Sequence, residues 1–166
     1  MTDSRPMHRV TQLVTHLTAH VGPEEVDLAR RLLPASAWEL FAAMPVADRR
    51  HGLDVVARLV GAGRDDRDLL VAALLHDAGK GSSLRLWHRV AGVLLEAFAP
   101  RRLAAMAGRQ PTAANPWYVH LHHAELSAAA AEAAGASHRS VAFIRGQAAE
   151  ADASLARALH EADEAS

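Results

Sequence analysis

Leu69-Leu70-Val71-Ala72-Ala73-Leu74-Leu75-His76-Asp77-Ala78-Gly79-Lys80 is an apolar run that closes on two adjacent side chains able to bind a metal. Apolar helices rarely end this way. Asp65 or Asp66 can cap a helix that starts here and runs to about Ala78. Gly79 is expected to stop it by taking the left-handed conformation that a helix C-terminus favours. Lys80 follows, the single lysine among 18 basic residues.

His51 supplies the run with a partner. Pro45 opens a helix expected over Val46 to Val60, and Gly61-Ala62-Gly63 ends it. From His51 up to Gly61 is ten residues, and from Asp66 down to His76 is ten again. At ~1.5 Å per residue each leg rises ~15 Å. A short connection makes the two helices antiparallel neighbours, which returns His51 to the level of His76 and Asp77. Three candidate metal ligands thus converge from two helices on spacing alone.

The remaining pattern is helical almost throughout. Val10, Leu13, Val14 and Leu17 recur at helical spacing, so a helix is expected from about Met7 to His20. Glu24 to Leu33, Ala35 to Met44, Leu84 to Phe98 and Arg101 to Ala107 follow. Pro116 starts another helix, which runs through an alanine-rich stretch to Ala134, with or without a kink. Ser137 or Ser140 caps the next, and Ala151 to Ala162 is the last. In the 84–98 helix, Leu86, Trp87, Val90, Val93, Leu94 and Phe98 share one broad apolar face. No alternating Val/Ile/Thr run marks a strand. The expected fold is an all-α, single-domain helical bundle, with residues 1–22 as an N-terminal helix packed on a domain spanning 23–166.

Composition bounds the function. At 166 residues with half of them apolar, the chain can bury one full core. Its net charge of −1 and the absence of a basic stripe argue against nucleic acid as a partner. No cysteine occurs, which excludes disulfides and thiolate metal sites. A metal must then be held by imidazole and carboxylate, a set that suits divalent Mn, Fe, Co, Ni, Zn or Mg. No run approaches ~20 apolar residues, and no leader pattern opens the chain. No membrane partner and a cytoplasmic location are expected.

Arg50-His51-Gly52-Leu53-Asp54-Val55-Val56, taken with Ala72 through Lys80, resembles the HD-domain superfamily of metal-dependent phosphohydrolases over about residues 30 to 164. That family's ligand pattern is a His, a His-Asp pair and a distant Asp near the end of the domain. The resemblance therefore implies His51, His76, Asp77 and Asp163 as metal ligands. Asp163 lies in Leu159-His160-Glu161-Ala162-Asp163, which is similar to the family's closing segment. Asp152, in Ala151-Asp152-Ala153, sits in a comparable context. His122-His123-Ala124-Glu125-Leu126-Ser127-Ala128 resembles a segment whose histidines bind a second metal or a phosphate. Successive helical residues point ~100° apart, so His122 and His123 cannot both face one ion comfortably. Where the family places a further histidine three residues after Ile144, this chain has Gln147, a poor ligand for a transition metal. His88, four residues before Gly92, is an alternative stand-in.

These parts suit phosphate chemistry. A divalent ion on the first set leaves positions open for water and a phosphoryl oxygen. Phosphoryl transfer needs little beyond positioning and cations, which Lys80 and Arg49 or Arg50 can supply. Asp77 and Lys80 are the expected catalytic residues, and Arg50, His122 and His123 the expected substrate or second-ion ligands. Asp54, one turn after His51, either orients that imidazole or is a solvated surface residue. The leading expectation is hydrolysis of a small phosphorylated metabolite, with nucleotides among the candidates. A non-catalytic, regulatory ligand- or partner-binding domain is the alternative. A di-iron oxygenase of the same fold is a third, which would need the histidine that Gln147 replaces.

Overall fold

Why the 69–75 run sits where it does follows from its composition. A helix apolar on every side must be surrounded, and in this computed structural model, which describes residues 20–81 and 86–166, all seven of its residues are buried. In chain order the helices are α1 (Pro23–Leu32), α2 (Ala35–Ala43), α3 (Val46–Gly61), α4 (Arg67–Leu75), α5 (Leu86–Phe98), α6 (Pro100–Gly108), α7 (Pro116–Ala133), α8 (His138–Arg145) and α9 (Ala153–Ala165). Short 3-10 turns cover Ala78–Lys80 and Glu150–Asp152. Among the described residues there is no strand, and the architecture is an all-α bundle. The helix expected over residues 7–20 lies outside the described residues, so its packing on the domain is not described.

α4 is the central rod, and α1, α3, α7, α8 and α9 pack around it. Phe41, Val55, Val56, Leu59, Leu69, Leu74 and Leu75 form the fully buried heart of the core. Local chemistry sets the ends. Of the two candidate caps it is Asp66 that accepts the Leu69 N–H (3.1 Å), and Ser137 that accepts the Ser140 N–H (3.0 Å). Gly52 lets α3 lie close on α4, because a Cβ there would stand 3.1 Å from the Ala73 carbonyl oxygen.

Two expectations are corrected. α4 stops at Leu75 rather than Ala78. The His76 Nδ1–H donates to the Ala73 carbonyl (2.9 Å), taking the acceptor that the Asp77 amide would use if the helix continued. Gly79 is not left-handed, since the glycines with positive φ are Gly63, Gly81, Gly135 and Gly146. It is needed for proximity instead: a Cβ at Gly79 would lie 2.4 Å from the Ser127 nitrogen and 2.6 Å from the Leu126 carbonyl carbon. The His-Asp turn is pressed onto the α7 backbone. The apolar face of α5 also turns outward at Leu94 and at Phe98, which is 84% exposed. Among the described side-chain positions of that helix the buried one is Gly92, against which the His120 ring packs.

Candidate metal centre

α3 and α4 run side by side, and the ring centroids of His51 and His76 are 5.2 Å apart. His51, His76 and Asp77 each offer a ligand atom, and those atoms all lie within 4.8 Å of one another. This group could hold a metal ion. α9 brings Asp163 to the same place. The His51 Nε2–H donates to Asp163 Oδ1 (2.7 Å), and His76 Nε2 is 3.3 Å from that same oxygen. Asp152 is elsewhere: both its oxygens accept from Arg139, at 2.8 and 2.9 Å, within a cage that also holds Asp66 and Asp68.

The donor atoms fit an ion. His76 Nε2 and Asp77 Oδ1 are buried without a hydrogen-bond partner, and they stand 3.6 Å apart. Stranding such atoms costs ~1–3 kcal/mol each, which a shared cation would offset. Separations of 3.3 and 3.6 Å match ligands around one ion at ~2 Å bonds, which sit ~3–3.5 Å apart. The supporting contacts aim these atoms. Donation from Nδ1 to Ala73 directs the Nε2 of His76 into the site. Lys80 Nζ holds Asp77 Oδ2 at 2.6 Å, which leaves Oδ1 toward His76.

Electrostatics are strongly coupled. Burial alone would push His76 down, but the Asp77 and Asp163 carboxylates outweigh it and raise its pKa to about 9. Burial acts upward on Asp77, yet His76, Lys80 and His51 together hold it far below the usual carboxylate range. Asp163 is likewise held low, against burial, by the neighbouring His51 and His76 imidazoles. The carboxylates favour the protonated form of His76, so a proton and an ion would compete for its Nε2. With 41% of its side chain exposed, against 2% for Asp77, Asp163 marks the open side of the centre.

The other expected site residues divide. Arg50 does not present a free fork to phosphate. Its Nη1 donates to both oxygens of Glu25 (2.6 Å each), and its Nη2 is 3.0 Å from Asp54. Asp54 therefore serves Arg50, not His51. Arg49 has a buried Nε without a hydrogen-bond partner. His122 is exposed with its ring 4.4 Å from Tyr118, at a non-helical residue (φ −119°, ψ 16°) that kinks α7. His123 turns inward, and its Nδ1–H donates to the His120 carbonyl (3.0 Å). Burial and then the Lys80 cation depress its pKa, which disfavours the charged imidazolium form. His88 packs edge-on against Trp117 (5.7 Å), and Gln147 is exposed.

Sequence reasoning passed over Ser127, whose fully buried hydroxyl accepts the Gly79 N–H at 2.8 Å. Its place four residues after His123, on the same face of α7, was the available signal. The His120–Glu96 contact at 3.3 Å, between α7 and α5, had none. No helix among the described residues is long and apolar enough to cross a membrane. Comparisons with protein-family models, curated proteins and solved structures find no match to this chain.

Proposed function

We propose that this chain is a metal-dependent phosphohydrolase of the HD-domain type, acting on a small phosphorylated metabolite. One observation carries the reading: two buried ligand atoms without a hydrogen bond, His76 Nε2 and Asp77 Oδ1, stand 3.6 Å apart beside His51 and Asp163. His51, His76, Asp77 and Asp163 would hold the ion. When bound, a divalent cation there supplies a Lewis acid that lowers the pKa of water and offsets charge building on a phosphoryl group.

The chain's own residues do the positioning. Lys80 fixes one oxygen of Asp77, so its main service is to aim that carboxylate. Access runs past the half-exposed Asp163. In its neutral form His123 accepts a hydrogen bond at Nε2, because its one ring proton, on Nδ1, is committed to the His120 carbonyl. An incoming anion would meet few free cations, since Lys80 and Arg50 are already paired with carboxylates. That pairing favours a substrate of low charge, and it also favours the second reading, a ligand-binding domain without catalysis.

A screen of phosphomonoesters with each divalent metal added back to chelated protein tests the proposal. Hydrolysis that requires added metal and disappears in His76→Ala and Asp77→Asn supports it. Tight metal binding with no hydrolysis of any ester moves the assignment to the binding domain.

A further inference from the structure

The turn that carries Asp77 has little structure of its own. It is three residues of 3-10 helix followed by Gly81 at φ +56°. What holds it is α7. Gly79 lies so close to that helix that no Cβ fits, and its N–H donates to the hydroxyl of Ser127, a side chain with no exposed surface. One residue further on, the Lys80 N–H donates to the Asp77 carbonyl (3.0 Å) and the Lys80 ammonium holds Asp77 Oδ2. The Gly79 amide is thus the point at which α7 fixes the main chain between the carboxylate and its cation.

We infer that Ser127 is a positioning residue of the metal centre: its hydroxyl holds the Gly79 amide and so sets where Asp77 Oδ1 points. This rests on the metal-binding reading. Ser127 touches neither ion nor substrate, and it acts through the turn. Ser140 is the matched control, another fully buried serine hydroxyl, hydrogen-bonded in the cap of α8 to Ser137 and Asp68.

The test titrates the full chain calorimetrically with Mn2+ and melts each variant without metal. Ser127→Ala is expected to bind Mn2+ about tenfold more weakly, the lower end of what losing a supporting contact costs a metal site. Amide exchange at Gly79 and Lys80 should also be faster in metal-free Ser127→Ala. Ser140→Ala should lower the melting temperature and leave Mn2+ affinity at the wild-type value. Wild-type Mn2+ affinity in Ser127→Ala, whatever its melting temperature, overturns the inference alone. If wild-type protein itself binds no Mn2+, the metal reading fails and takes the inference with it. Should Ser127→Ala not fold, Ser127→Cys keeps the shape with a weaker acceptor. Reduced Mn2+ affinity in that variant supports the assignment, and wild-type affinity refutes it.

Discussion

Replacing Gly79 with alanine probes the contact between the His-Asp turn and α7. The new Cβ would stand 2.4 Å from the Ser127 nitrogen and 2.6 Å from the Leu126 carbonyl carbon, where ordinary contact begins at 3.4 Å. Both are backbone atoms, so no rotamer change relieves the clash, and the turn must retreat by about 1 Å. Overpacking of this kind costs ~1–3 kcal/mol. Retreat also stretches the 2.8 Å bond from Gly79 to Ser127, and a buried pair left unsatisfied adds ~1–3 kcal/mol. The expected loss is ~2–6 kcal/mol, and even 3 kcal/mol is ~6–12 °C in melting temperature for a chain of this size. Gly81→Ala serves as the comparison. Its Cβ meets nothing within 4 Å, so only backbone strain applies, at φ +56° and ψ −172°, a region essentially confined to glycine, ~1–3 kcal/mol. Differential melts of the two variants decide. A Gly79→Ala protein that melts with wild type, or above Gly81→Ala, refutes the packing argument.

Asp163→Ala should lose bound metal sharply, and Asp152→Ala should keep it while weakening the Arg139 cage. Elemental analysis of the two variants checks this, and the reverse result would mean that α9 has been assigned the wrong ligand. Apparent metal affinity should rise with pH, by up to about tenfold per unit below the His76 pKa of about 9, because binding displaces that proton. Calorimetry in buffers of different ionisation enthalpy would report the released proton. The Arg139 cage predicts the opposite limb. Hydrogen bonds from Arg139 hold Asp152 low, and they outweigh burial to hold Asp66 low as well. Folded pKa values below the unfolded ones give stability that is fully present above about pH 4 and lost as pH falls through the folded values. Urea midpoints between pH 2 and 5 should therefore fall less steeply in Arg139→Gln than in wild type.

The antiparallel pair was legible because both of its legs are local: ten residues of helix on each side of a glycine-rich loop leave the two histidines level. The caps were legible to within two residues each, Asp65 or Asp66 and Ser137 or Ser140, since a cap acts within three residues, and the structure picks Asp66 and Ser137. What could not be read depends on approach in space. Gly79 looks like a helix stop until α7 is seen lying on it, 48 residues later in the chain. Arg50 looks like a free phosphate ligand until Glu25, from another helix, accepts from its Nη1 while Asp54 takes its Nη2. The α5 periodicity showed that one face is apolar, but not that Leu94 and Phe98 would face outward. Helical spacing alone put His122 and His123 ~100° apart. The kink at His122 finishes their separation, with one ring left exposed on Tyr118 and the other bonded to the His120 carbonyl.

The central claim is that His51, His76, Asp77 and Asp163 form one centre built around a divalent ion. Metal content measured on purified, folded protein after Mn2+ or Co2+ loading and desalting tests it most directly. The account predicts about one ion per chain, falling to near zero in His76→Ala and Asp77→Asn while both variants still melt cooperatively. Wild-type protein that retains no ion from any divalent metal, or variants that retain it undiminished, would contradict the account.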